Sequence, residues 1–176
     1  MLAIFEGDDV YELVARGVTT VRQRLGTFRL REEKKLPRFI DYLGWCTWNA
    51  FYQNVTAEKV LQGLKAFSDG GMGPGFVILD DGWQDHEEGV LNDLPPDKSK
   101  FPEGFKPLID TAKQKYGVKM FGIWHAFQGH WRGIRPDGPL GKRYRTISNE
   151  GDISPWAPKV APLHLIHPDD IARFYH

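Results

Sequence analysis

The 176-residue chain has a single cysteine, Cys46, so no disulfide can close within it and no multi-cysteine metal site can be built. It has no excess of either charge, with 23 Lys and Arg against 23 Asp and Glu. That removes the electrostatic case for nucleic acid or an anionic membrane as partner. No run approaches the roughly 18 apolar residues that suggest a membrane span. The opening MLAIFEGDDVYELV has no basic segment ahead of an apolar one and meets acidic residues at once, unlike a secretory signal. A reducing, cytoplasmic setting is therefore expected. The six histidines show no metal spacing: His125 and His130 fall five apart across a Gly-containing segment, not at the helical i, i+4 spacing of a zinc pair. No metal and no cofactor is expected.

Aromatic residues, by contrast, are abundant, at 13% with six Trp. Such side chains suit sugar rings, whose C–H faces pack on flat apolar surfaces, and they suit large cores equally well. Along the chain, Asp8 and Asp9 can cap a helix carrying Val10, Leu13, Val14, Val18, Val21 and Leu25 at the helical period, with Gly26 as its stop. A charged linker to Pro37 follows, so residues 1–36 are expected to lead into a domain over 37–176. Tyr42 to Trp48 then forms a short β-prone stretch. Thr56 caps a helix striped by Val60, Leu61, Leu64 and Phe67, ended by Gly70-Gly71. Phe76 to Leu79 is a continuous apolar run of the kind buried on both faces of a parallel sheet. A third unit places a helix from Phe105 to Gly117 before an apolar strand from Val118 to Trp124. Two long connections, Asp85–Phe101 and Gly129–Pro168, have the composition of functional loops. The run from Gly141 to Arg145 fits a solvated loop, and Asp169-Asp170 opens a last helix, cut off at His176. Alternating strands and helices predict right-handed crossovers and a parallel sheet. The fold class is α/β: either the first three βα units of a (β/α)8 barrel after a preceding helix, or the start of a doubly wound sheet.

In either fold, ligands meet the C-terminal ends of the strands. Those ends carry Trp45 and Trp48, then Asp80, Asp81 and Trp83, then Trp124 and His125. Carboxylates can accept hydrogen bonds from vicinal hydroxyls while indoles take the apolar face of a ring. Asp-Asp-Gly can also be no more than a turn, one of Trp45 and Trp48 is expected in the core, and His125 can be structural. Cys46, inside an apolar strand, reads as a small hydrophobe. Asp80 and Asp81 diverge from one strand end, so they suit two adjacent hydroxyls better than the two sides of a glycosidic bond.

The segments Leu43-Gly44-Trp45-Cys46-Thr47-Trp48-Asn49-Ala50-Phe51-Tyr52, Val77 to Gln84, and Phe121 to Ala126 continuing to Gly129-His130-Trp131 resemble the raffinose synthase and seed-imbibition-protein branch of glycoside hydrolase family 36, the α-galactosidase superfamily. The resemblance runs from about Phe28 onward. It implies a (β/α)8 domain that acts on α-D-galactosides through a covalent galactosyl–enzyme intermediate, by hydrolysis or by transfer to an acceptor. It also implies that Asp80 and Asp81 bind galactose hydroxyls, with Trp45 or Trp48 and Trp124 lining that subsite. Trp83 matches the motif. The family's nucleophile is the Asp of a Lys-x-Asp motif ending the fourth strand, with a further Asp as acid/base. Neither stands in this sequence, and Asn49 replaces a common Asp. No residue here is therefore assigned a catalytic role. The chain is expected to be a fragment, inactive by itself, needing the remainder of the barrel to close. A non-catalytic galactoside-binding module on a degenerate barrel is the alternative.

Overall fold

The computed structural model describes residues 4–149 and 162–175, and the chain divides into two compact units, Met1–Ile40 and Asp41–His176. The first unit is built on α1 (Val10–Leu25). The Asp9 carboxylate accepts from the amides of Tyr11 and Glu12, and Gly26 ends the helix in the left-handed region, the capping expected of these residue types. A salt bridge of 2.9 Å joins Arg22 to Glu33.

The second unit opens with β1 (Gly44–Cys46), shorter than the expected Tyr42–Trp48 strand. The Thr47 amide still donates to the Ile78 carbonyl, but Trp48 begins a short helix, α2 (Trp48–Phe51). Helix α3 (Ala57–Asp69) is capped by Thr56, whose hydroxyl accepts from the Lys59 amide, and buries Val60 and Leu64. Strand β2 (Phe76–Leu79) follows. The stretch after it is not an open loop but an antiparallel hairpin of β3 (Gln84–Glu87) and β4 (Val90–Pro96). Its tight turn uses Glu88 and Gly89, both at positive φ, the geometry that matches strand twist. Helix α4 (Lys106–Tyr116) buries Leu108 and Ala112 and ends at left-handed Gly117. Strand β5 (Met120–Ile123) completes a parallel sheet in the order β1-β2-β5.

The second long connection is also structured. Helix α5 (Pro139–Arg143) precedes a hairpin of β6 (Thr146–Asn149) and β7 (Leu163–Ile166); residues 150–161 of that connection lie outside the described residues. Arg145 is not simply solvated: its amide donates to Asp170 at 2.8 Å and its guanidinium meets the same carboxylate. Helix α6 (Ile171–Phe174) closes the described chain. Both long stretches contribute to a second apolar cluster, Leu91 from β4 and Leu140 and Ile166 from the later stretch, packed with Ile134 and Phe174. The Leu91 amide bonds the Gly133 carbonyl, and the Ile134 amide bonds the His164 carbonyl, so segment 133–134 stitches the two hairpins together.

Strand register separates the two faces of the sheet. Trp45, Val77 and Phe121 align on one side, and Cys46, Ile78 and Gly122 on the other. The first side meets the helices: Val77 and Leu79 are fully buried with Val60, Leu64, Leu108 and Ala112, and Trp45 and Phe121 pack against them. Each of the Val and Leu side chains contributes about 2 kcal/mol. The opposite face is open enough to leave Met120 39% exposed. Among the described residues no helix is long and apolar enough to cross a membrane.

Candidate functional site

The strand ends converge on Asp80 and Asp81. Thr47, buried at the end of β1, accepts the Asp80 amide on its hydroxyl at 3.0 Å. Asp80 is half-buried. One of its oxygens takes the Asp81 amide at 2.7 Å, and the other takes the Cys46 thiol at 2.8 Å. A carboxylate offers about four lone pairs, so acceptor capacity remains. The turn is thus real, and half of Asp80 serves it.

Asp81 points elsewhere. It is 2% exposed and accepts from His130 Nε2 at 2.9 Å, Trp131 Nε1 at 2.8 Å and Gln53 Nε2 at 3.2 Å. The other ring nitrogen of His130 lies 3.0 Å from the Gly89 carbonyl. Both partners of that imidazole are oxygens that only accept. His86 stacks on His130 with centroids 4.3 Å apart and accepts the Gly89 amide on Nδ1. Asp81 therefore ties β2 to the tip of the β3–β4 hairpin and to the segment after β5. Gly82 sits against the Gln53 backbone, and the Lys100 ammonium bonds the Gln53 and Gly82 carbonyls.

The remaining expected residues divide by environment. Trp83 is 4% exposed, part of the helix-side core, with its indole N–H donating to the Trp124 carbonyl. Trp45 packs against Phe51 and Phe67 beside Gly63, which makes it the core member of the Trp45/Trp48 pair. Trp48 is half-buried and meets Tyr52 edge-on. Trp124 follows β5, its amide on the Leu79 carbonyl, and its ring lies 5.4 Å from that of Trp131. His125 packs among Trp83, Phe174 and Tyr175, with its Nε2 buried and without a partner. Among the described residues no group of three His, Cys, Asp or Glu is gathered to hold a metal.

The family profile described as "Raffinose synthase or seed imbibition protein Sip1" matches residues 1–101 and 90–156. The chain belongs to that raffinose synthase family. A probable galactinol–sucrose galactosyltransferase 6 of Arabidopsis thaliana is 36% identical over 99% of this chain and 27% of its own length. The galactinol–sucrose galactosyltransferase of Oryza sativa subsp. japonica is 37% identical over 76% of this chain and 20% of its own. The chain thus spans about a quarter or less of these curated relatives. The family 36 α-galactosidase AgaA of Geobacillus stearothermophilus, 19% identical, shares the fold at a TM-score of 0.53 over 76% of this chain and 18% of that one.

In this raffinose synthase family member the electrostatics follow the hydrogen bonds. Burial pushes the Asp81 carboxyl up, but the hydrogen bonds from His130 and Trp131, the His130 charge and the Gln53 bond outweigh it, lowering it from 3.8 to about 2. Burial, then the His130 charge, lowers both His86 and His125, which keeps His86 neutral and able to accept. Desolvation, then the Asp80 carboxylate, raises the Cys46 thiol, so it stays a donor. Since the folded value of Asp81 lies below the unfolded one, its contribution is complete above about pH 4 and is lost as the pH falls through about 2. The difference corresponds to about 2 kcal/mol. Denaturant unfolding of wild type and Asp81→Asn at about pH 5 and about pH 2 is expected to show the wild type losing that much more stability; equal losses would refute it.

His130, Trp131, Gln53 and Thr47 are the residues that pattern reading did not assign to the site. His130 and Trp131 enter the sequence reading through the Gly129-His130-Trp131 segment of the resemblance, without a role in the site. A buried carboxylate leaving a strand needs N–H donors from the neighbouring strand end, and an adjacent His-Trp there supplies two.

Proposed function

We propose that this chain forms the galactoside-holding part of a retaining (β/α)8 enzyme of the α-galactosidase and galactosyltransferase kind, with nucleophile and acid/base supplied by residues outside this sequence. The observation that carries the reading is Asp80. It ends the central strand half-open, with lone pairs to spare, one residue past the paired Leu79 and Ile123 and level with Trp124. In this reading Asp80 accepts the sugar hydroxyls while the Trp124 and Trp48 indoles cover the apolar ring face. Asp81 acts as a positioning residue that holds the strand end through His130 and Trp131. Trp45 and Trp83 support it from the core side. Across such a site, one external carboxylate attacks the anomeric carbon as the glycosidic bond breaks and a second protonates the departing oxygen. The second then takes a proton from the acceptor hydroxyl as that oxygen displaces the enzyme carboxylate. Water as acceptor gives hydrolysis, and a sugar gives transfer. Both plant relatives are described as galactosyltransferases, which favours transfer.

Ligand-observed NMR with methyl α-D-galactopyranoside tests the reading. Asp80→Ala is expected to weaken binding about tenfold or more, the scale of a lost charge-assisted hydrogen bond. Binding unchanged by that substitution, in a sample shown to be folded, would sink it. Release of nitrophenol from a nitrophenyl α-galactoside by the 176-residue chain alone would place the catalytic pair inside this sequence after all.

A further inference from the structure

The helices after β7 and the segment after β5 enclose an open groove of about 370 Å³, lined mainly by Phe127, Trp131, Tyr175, Ile147, Leu165 and Ile171. We propose that this groove binds the acceptor sugar, an inference that rests on the galactoside reading of the neighbouring strand ends. Three of its rings are exposed to a degree unusual for aromatics: Phe127 91%, Tyr175 47% and Trp131 42%. Two of them, Trp131 and Tyr175, are nevertheless held by hydrogen bonds. The Trp131 N–H is fixed on buried Asp81 at 2.8 Å. The Tyr175 hydroxyl donates to the Phe127 carbonyl at 2.7 Å, and the Phe127 and Tyr175 rings meet edge-on at 6.4 Å.

Exposed rings held by their own hydrogen bonds, as Trp131 and Tyr175 are, lose little conformational entropy on stacking, which suits a weakly hydrated carbohydrate face. The volume lies within the range of small-molecule sites. The groove is also continuous with the donor position: Trp131 lies 5.4 Å from Trp124, which is level with Asp80. One indole thus contacts the groove with its ring, the Asp81 network with its N–H and the strand-end surface through Trp124. Transfer needs two sugars side by side, and the groove adjoins the strand-end surface through Trp131 and Trp124. The Gln128 amide at its edge can bond hydroxyls that the rings cannot.

Sucrose and methyl α-D-galactopyranoside serve as probes on the full chain, read by saturation-transfer NMR and tryptophan fluorescence. Phe127→Ala removes a ring that is almost wholly in solvent, so the fold is retained. It is expected to weaken sucrose binding about fivefold, the scale of one aromatic contact, and to leave galactoside binding unchanged. Asp80→Ala is expected to do the reverse. If the galactoside binds but sucrose does not, or if sucrose binds Phe127→Ala as it binds wild type, the acceptor assignment falls and the galactoside reading stands. If neither sugar binds folded wild type, both fall.

Discussion

Asp81→Ala is expected to lower the unfolding free energy by about 3–5 kcal/mol, the cost of leaving several donors in one buried network without their acceptor. The substitution strands His130, 1% exposed, between a carbonyl and a cavity, and it removes the acceptor of the Trp131 and Gln53 donors. It also cuts a side chain that bonds both Gln53, which follows α2, and the His130-Trp131 segment after β5. Urea unfolding of the single variants and of Asp81→Ala/His130→Ala measures the coupling, expected at about 1–3 kcal/mol for residues in one network. A loss below about 1 kcal/mol for Asp81→Ala would mean that the network is ornamental and that Asp81 is free to serve a ligand.

Gly82→Ala is the second large effect. Gly82 has φ of 113°, and an added Cβ would lie 2.5 Å from Gln53 Cα and 2.7 Å from its carbonyl oxygen. Those atoms are backbone, so no rotamer change relieves the contact. Lys100 also holds the two segments together through both carbonyls. The strained backbone and the clash together should cost roughly 3 kcal/mol or more. Gly104→Ala is the internal comparison: its φ is 73°, but nothing lies within 4 Å of the added carbon. There the cost should be only the left-handed conformation, roughly 1 kcal/mol. Equal melting shifts for the two variants would show that the approach of Gln53 to Gly82 is not tight in solution.

Helices and caps were legible at short range. Asp9, Thr56, Gly26 and Gly117 act as the caps and stops their chemistry dictates, because a cap is satisfied by amides three or four residues away. The central strand was equally plain, since Phe76 to Leu79 is buried on one face and half-buried on the other. The hairpins were not, although Glu88-Gly89 carries the turn chemistry. Strands β3 and β6 are mostly polar, and Leu91 and Ile166 of their partner strands pack in a second core shared with distant Ile134 and Phe174. Trp48 reads as strand because aromatic residues favour strands and a short apolar run cannot be told from a helix segment by periodicity.

By itself the sequence determined the βα alternation, the residues gathered at the strand ends and the family, since these depend on local periodicity and on motifs of consecutive residues. Only the tertiary structure decided which of those residues face solvent. Asp80 and Asp81 are neighbours of one chemical type, yet one opens toward the strand-end surface and the other is buried under His130 and Trp131, some 50 residues onward. That division arises from packing between separate segments, and the spacing of the chain carries no record of it.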